Sequence, residues 1–331
     1  MNIALDAMGG DHAPQEVVLG AVQAAPLARH TILLVGDPSE IESCLPRPCP
    51  SNIRIHAASE KIEMHEKPLD ALRRKKDSSL VVGIELVKEG QAACFVSAGN
   101  TGAVTAGCLL SWRQMHGFHR PAIASELPSK GRNFLLLDAG ASPDVDPEHL
   151  VEFALMGRSY AQHIMTCRNP RIHLLNIGEE EGKGNAFAKQ AFNLLAQHAW
   201  FAGNIEGKDI FDGECDVVVC DAFIGNIVLK TAEGAAELIV NLIRDALPKN
   251  KLARLAFLPT KKVLKPLFQK LDYAEVGGSP LLGLNGLCVI CHGRSKAKAI
   301  KNALLLAQRA VDHHLIEKIR ESISNEAVRS K

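Results

Sequence analysis

The sequence predicts an α/β fold in which a largely parallel β-sheet is layered between helices. Three recurring features predict it: short apolar, β-branched runs, loops of Gly, Asp, Asn or Ser directly after them, and amphipathic helical patterns after the loops. Runs that are apolar throughout, rather than alternating, suit strands buried on both faces of a parallel sheet. In such sheets ligands collect beyond the carboxyl ends of the strands. The loops are therefore the place to look for chemistry.

Strands are predicted over residues 2–5, 93–96, 134–137, 172–177, 217–220 and 287–290. Pro14 opens a helix over 15–24, since a proline fits the first helical turn. Asn100 and Thr101 cap a helix through residue 110, and Asn226 precedes a helix over 227–247 with apolar residues at helical spacing. The last helix, 295–314, follows Gly293 and carries Ala297, Ile300, Leu304, Ala307 and Val311 on one face. Residues 1–320 read as a single α/β domain and 321–331 as a polar tail. One segment, 248–275, breaks the pattern: it has three prolines and seven Lys or Arg against two acids between Lys249 and Glu275. Leu264, Leu267, Phe268 and Leu271 recur there at helical spacing beside Lys261, Lys262, Lys265 and Lys270, predicting a basic amphipathic excursion from the main domain.

With 331 residues and 47% hydrophobic composition the chain buries a sizeable core. A net charge of +1 gives no global attraction to nucleic acid, so electrostatic steering must be local. Neither a signal peptide nor a run of about 18 apolar residues is visible, and the nine cysteines read as reduced thiols of a cytoplasmic protein. Cys288-Val-Ile-Cys291-His292 matches a haem-attachment pattern, but within GLCVICHG it reads as a buried strand with small core residues.

A phosphate site needs backbone N–H groups, hydroxyls and cations converging on one concavity, and a glycine-rich loop entering a helix supplies the first of these. Four segments have that character. DAMGGDHAP offers Gly9 and Gly10 beside Asp6, Asp11 and His12, and SAGNTGA offers Ser97, Asn100 and Thr101. NIGEEEGKGN holds Lys183 between glycines, followed by Asn185, and VCDAFIGNIVLK holds Asp221 and Asn226. Each has a structural alternative: the loops as plain strand-to-helix turns, Asp6 as a loop brace, Ser97 and Thr101 as caps, His12 as a surface side chain and Lys183 as a solvated one. The functional reading gains from all four loops falling at one edge of one predicted sheet. No G-x-G-x-x-G, P-loop, zinc spacing or G-x-S-x-G is present, so no nucleotide cofactor, metal or serine nucleophile is supported. The nucleophile then arrives from solution, and inorganic phosphate suits that description.

At these residues, and at KPLDALRRKKDSS from Lys67, GFHRPAIA near Arg120, and GGSPLLGLNG with HGRS, the chain resembles the phosphate acyltransferase family of bacterial phospholipid synthesis. Its enzymes convert acyl-acyl carrier protein and inorganic phosphate into acyl phosphate. The resemblance runs from residue 1 to about 315. It implies a Rossmann-like layered sheet similar to the isocitrate and isopropylmalate dehydrogenase and phosphotransacetylase group, a homodimer, and no cofactor. It also implies catalytic roles for Lys183 and Asn226, and Asp138, heading DAGAS, joins the substrate-binding set. Two positions depart from the family pattern: Ser142 stands where Asn is usual and Ala222 where Gly is usual. The basic excursion then reads as a contact with an anionic membrane surface, or alternatively as a dimer or carrier-docking helix. The rival functions are a phosphotransacetylase-like enzyme using acyl-CoA, a non-catalytic membrane scaffold, and a dehydrogenase of the same broad fold.

Overall fold

The computed structural model of the chain describes residues 1–246, 270 and 272–329. The first half alternates short strands and helices: β1 (Asn2–Asp6), α1 (Gln15–Ala24), β2 (Thr31–Gly36), α2 (Pro38–Cys44), β3 (Ile53–Ala57), α3 (Pro68–Arg74), α4 (Ser79–Lys88), β4 (Cys94–Ser97) and α5 (Thr101–Trp112). Next come β5 (Ala122–Ile123), β6 (Ser125–Leu127), β7 (Phe134–Leu137), α6 (Pro147–His163), β8 (Ile172–Asn176), α7 (Ala186–Leu195), β9 (Phe201–Glu206), β10 (Val217–Val219) and the 25-residue α8 (Ala222–Ala246). The chain closes with β11 (Ser279–Leu282), β12 (Cys288–Ile290), α9 (Ala297–Asp312) and α10 (Leu315–Arg329). Helix α10 thus runs through most of the stretch read as a polar tail. The membrane-contact candidates Leu264, Leu267, Phe268 and Leu271 lie outside the described residues.

The strands form two sheets rather than the single one expected. The first has the order β3-β2-β1-β4-β12-β11-β5 and the second β6-β7-β10-β8-β9. Pairing is parallel from β3 through β12 and from β7 through β9, while β11, β5 and β6 join antiparallel at the edges. One residue, Ala124, separates β5 of the first sheet from β6 of the second, and its N–H bonds the Pro280 carbonyl of β11 at 2.9 Å. Local patterning cannot announce that change of sheet, because β5 and β6 follow each other with no turn residue between them.

The apolar runs are explained by burial on both faces. In β1, Ile3 and Leu5 pack on one side with Val17 and Val18 of α1 and Ile300 and Leu304 of α9, while Ala4 faces Leu80 and Ile84 of α4 on the other. The second sheet repeats the arrangement: Leu135, Leu137, Val217 and Val219 face Phe153 and Tyr160 of α6, and Phe134, Leu136 and Val218 face the opposite way. Both apolar clusters pass through both sheets, so the sheets share their core. Cys94, Cys108, Cys288 and Cys291 are buried within it as free thiols, as the core reading of CVICH requires, and burial raises the pKa of Cys94, Cys108 and Cys291.

Helix α8 begins at Ala222, five residues before the start expected after Asn226. The Asp221 carboxylate accepts the Ile224 N–H at 3.0 Å and so caps the helix earlier. Gly225, in the second turn, lies against the backbone of Asp138, and a Cβ there would overlap that residue's carbonyl oxygen. Gly225→Ala is therefore expected to lower stability by about 1–3 kcal/mol, since backbone cannot yield as a side chain does. Gly207→Ala, where a Cβ meets nothing within 4 Å, is the control and changes stability by no more than about 1 kcal/mol. Equal urea midpoints for the two variants would show that this close approach does not constrain the fold.

Candidate active site

The carboxyl ends of β1, β4 and β12, neighbours in the first sheet, carry the loops 7–14, 98–100 and 291–296. The first two are held together by Asp6. Its buried carboxylate accepts Ser79 Oγ at 2.6 Å, Ser97 Oγ at 2.7 Å and the Met8 N–H at 3.2 Å. Burial raises the Asp6 pKa, and the hydroxyl and backbone donors oppose that rise. Ser97 in turn accepts the Gly99 N–H at 3.0 Å. Gly10 adopts φ 106°, in the left-handed region that favours glycine, and the next N–H, of Asp11, bonds the Gly293 carbonyl at 2.8 Å. Asp11, His12 and Thr101 stay exposed along this edge. Asn100 caps α5 through the Ala103 N–H at 3.0 Å and donates to the Met64 and Glu66 carbonyls at 2.9 and 3.2 Å, tying down the segment before α3.

In the second sheet β7, β10 and β8 are consecutive parallel neighbours, so DAGAS, CDAFIGN and NIGEEEGKGN leave one edge side by side. The Asp138 carboxylate is buried and accepts four backbone N–H groups: Ile123, Gly140 and Ala141 at 2.9 Å and Ser142 at 2.7 Å. Burial raises its pKa against the pull of those donors. Ser142, one of the departures, donates its hydroxyl to the Pro121 carbonyl at 2.8 Å. The other, Ala222, is buried at the start of α8. Asn226 is exposed on α8, and its side chain faces the Gly140 loop. Lys183 is half exposed, 3.8 Å from Glu180, with its carbonyl held by Asn176 Nδ2 at 3.2 Å. Asn185 caps α7 through the Ala188 N–H at 2.9 Å.

Helix α8 joins the two edges. Lys230 Nζ lies 3.0 Å from His292 Nε2 in the loop after β12 and 2.9 Å from Glu233. Arg294 in the same loop pairs with Glu237 at 2.6 Å and approaches Glu233 at 3.8 Å. Burial lowers the pKa of His292, Lys230 and Arg294 lower it further, and Glu233 and Asp11 oppose them. Successive residues of a helix advance by about 100°, so Asn226, Lys230, Glu233 and Glu237 share one arc of α8. That arc spans the gap from the Gly140 loop of one sheet to the Gly293 loop of the other.

The expectation of four loops on one sheet edge is thus corrected. DAMGGDHAP and SAGNTGA lie on the first sheet, NIGEEEGKGN and CDAFIGN on the second, and α8 bridges them. Among the proposed polar residues, Asp6, Ser97 and Asp138 are buried in bonds that shape the loops, and Asn100, Asn185 and Asp221 cap helices. Asp11, His12, Thr101, Lys183 and Asn226 remain open to solvent. Sequence reasoning assigned no role to Lys230, Glu233, His292 or Arg294. Two quoted motifs contain members of this group, CDAFIGNIVLK ending at Lys230 and HGRS holding His292 and Arg294, but nothing in either motif pairs it with the other.

Elsewhere, His119, His149 and Glu152 have metal-capable atoms within 4.8 Å of one another. Their bonds already have a structural use. Glu152 accepts the His119 N–H at 2.7 Å and meets its Nδ1 at 2.6 Å, and His149 Nδ1 accepts the Asp146 N–H at 2.8 Å. These contacts fasten the first turns of α6 to the segment before β5.

A family model described as "Fatty acid synthesis protein" matches residues 1–318. Phosphate acyltransferase from Heliobacterium modesticaldum is 50% identical over 327 residues, covering 98% of each chain. Phosphate acyltransferase from Halothermothrix orenii is 47% identical over 335 residues, covering 98% of this chain and 99% of its own. Among solved structures, a phosphotransacetylase from Streptococcus pyogenes superposes with a TM-score of 0.63 at 17% identity, covering 94% of each chain, which shows the α/β fold that the two relate. With nearly the whole length matched at about half identity, the chain belongs to the phosphate acyltransferase family and is an acyltransferase enzyme.

Proposed function

We propose that the protein converts acyl-acyl carrier protein and inorganic phosphate into acyl phosphate for phosphatidic acid synthesis. The observation that carries this reading is the near full-length identity to proteins named phosphate acyltransferase. Phosphate oxygen attacks the thioester carbonyl, a C–O bond forms, and charge develops on the former carbonyl oxygen. The intermediate collapses as the C–S bond breaks, and the carrier thiolate leaves and takes up a proton. Lys183 offsets the charge of the phosphate and the oxyanion, and Asn226 donates to the oxyanion. The neighbouring origins of their loops on β8 and β10 support this pairing. His12 and Thr101 are the exposed groups suited to hold phosphate, with Gly9 and Gly10 allowing close backbone approach, and the exposed Asp11 carboxylate beside them suits orienting a proton transfer.

The same reading includes a homodimer and peripheral contact with an anionic membrane from the cytoplasmic side. Phe223, Ile227, Leu238 and Leu242 lie half or more exposed on the arc of α8 next to its polar one, and these exposed apolar side chains support self-association. The composition of residues 248–275 supports membrane contact through Leu264, Leu267, Phe268 and Leu271, each nearby Lys or Arg adding about 1 kcal/mol near an anionic surface. No helix among the described residues is long and apolar enough to cross a membrane.

Purified protein given acyl-acyl carrier protein and phosphate should form acyl phosphate by mass spectrometry, and acyl-CoA should be the poorer donor. A preference for acyl-CoA would sink the carrier-protein reading. Lys183→Ala should keep its fold, the side chain being half exposed, and lose about a hundredfold to a thousandfold in rate. Near wild-type turnover would remove Lys183 from the mechanism. Light scattering should report a dimer that the double change Leu238→Asp, Leu242→Asp converts to monomer, and a monomeric wild type rules the dimer out. Leu267→Glu with Phe268→Glu should abolish co-sedimentation with anionic vesicles, while unchanged binding excludes the segment as the anchor.

A further inference from the structure

We infer that Lys230 is a further phosphate-binding residue of the site and that His292 is its positioning residue, an inference that deepens the phosphate acyltransferase reading and rests on it. Lys230 lies one helical turn beyond Asn226 on the same arc of α8, so its ammonium belongs to the same face of the gap between the sheets. An ammonium has three donors. One is directed to His292 Nε2 at 3.0 Å and one to Glu233 at 2.9 Å, which holds the long side chain and leaves the third for a ligand oxygen. Lys230 is 47% exposed, so that donor is reachable from solvent.

The position opposite Lys230 is built from the other phosphate-loop candidates. His292 is followed by Gly293, whose carbonyl accepts the Asp11 N–H at 2.8 Å, so the loops after β1 and β12 move as one wall. Arg294, paired with Glu237 at 2.6 Å, secures the same wall to α8 from the far side of Glu233. A phosphate entering between Asp11 and Asn226 therefore meets a cation whose place is set from both sheets. The acyl donor needs no such group, because its thioester carries no comparable charge. Loss of Lys230 should appear in phosphate affinity.

The arrangement also has a pH dependence with a defined sign. His292 accepts from Lys230 only as the neutral Nδ1–H tautomer, with Nε2 unprotonated. Among the described residues, the charged groups facing it include Lys230, Glu233 and, through Glu233, Glu237 on α8, Arg294 on its own loop, and Asp11 on the loop after β1. Burial and the two cations favour the neutral ring, so the bond persists at neutral pH. Acidification protonates the ring, removes the acceptor and sets a second cation against Lys230. Phosphate binding weakens as pH falls through that titration.

Calorimetric titration with inorganic phosphate and steady-state rates with both substrates test the pair in wild type, Lys230→Gln, Lys230→Arg, His292→Ala and His292→Gln. Lys230→Gln should weaken phosphate binding roughly tenfold to a hundredfold, the range for a charged hydrogen bond, while KM for the acyl donor stays unchanged. His292→Ala should move phosphate in the same direction by less. His292→Gln, whose amide oxygen can accept from Lys230, should recover most of that loss and make the acid-side weakening shallower than in wild type, leaving only the part due to protonation of phosphate itself, and Lys230→Arg should retain part of the binding. Wild-type phosphate affinity in Lys230→Gln overturns the inference. So does an equal rise in both KM values, or an acid-side profile in His292→Gln that matches wild type. Phosphate binding that depends on Lys230 without any acyl phosphate formed would instead overturn the proposed reaction and leave the binding pair standing.

Discussion

The buried carboxylate of Asp138 is the point on which the site geometry depends. It accepts backbone N–H groups from Ile123 on the first sheet and from three successive residues of the loop after β7 on the second. The backbone N–H of Asp138 itself bonds Cys220 at the end of β10, and Gly225 of α8 rests against its carbonyl. One residue therefore sets the seam between the sheets, the shape of the DAGAS loop and the approach of α8. Taking a carboxylate out of water is costly, and four N–H groups in a fixed ring are the compensation that makes it tolerable. Without them the group would be expelled, and the DAGAS loop and α8 would lose their common reference.

Asp6 does the corresponding work on the first sheet with two serine hydroxyls and a backbone N–H. The two aspartates resemble each other in sequence context: each sits at the carboxyl end of a strand and is followed by Ala and a glycine-containing loop. Both were candidates for contact with substrate, and both instead brace loops. The difference between a bracing and a ligand-facing carboxylate is one of solvent access. Asp11, only five residues beyond Asp6, is exposed because the chain has by then turned past the sheet edge at Gly10. Sequence neighbours share composition without sharing burial.

Function and framework are distributed over the loops in a consistent way. Residues at strand ends and helix caps are consumed in hydrogen bonds, and residues in mid-loop or on the second turn of a helix remain available. Lys183 and Asn226 are of the latter kind. Lys230, one turn further along α8, is available in the same way. Its partner His292 is 62 residues away, and neither local spacing nor helical periodicity can pair them.

The sequence by itself determined the strand and helix grammar, the two-faced burial of the parallel strands, the glycine-rich turns and the family. It did so because those features are local: a run of β-branched residues, a capping Asn or a φ-positive glycine states its conformation within a few residues. Helix α1 and strand β7 have the bounds read from the pattern alone. Only the tertiary structure decided that there are two sheets, that α8 starts early and bridges them, and which polar side chains face the gap. Those outcomes turn on contacts between distant segments, such as Ile123 with Asp138 and Lys230 with His292, whose energies depend on burial and geometry that no local pattern encodes.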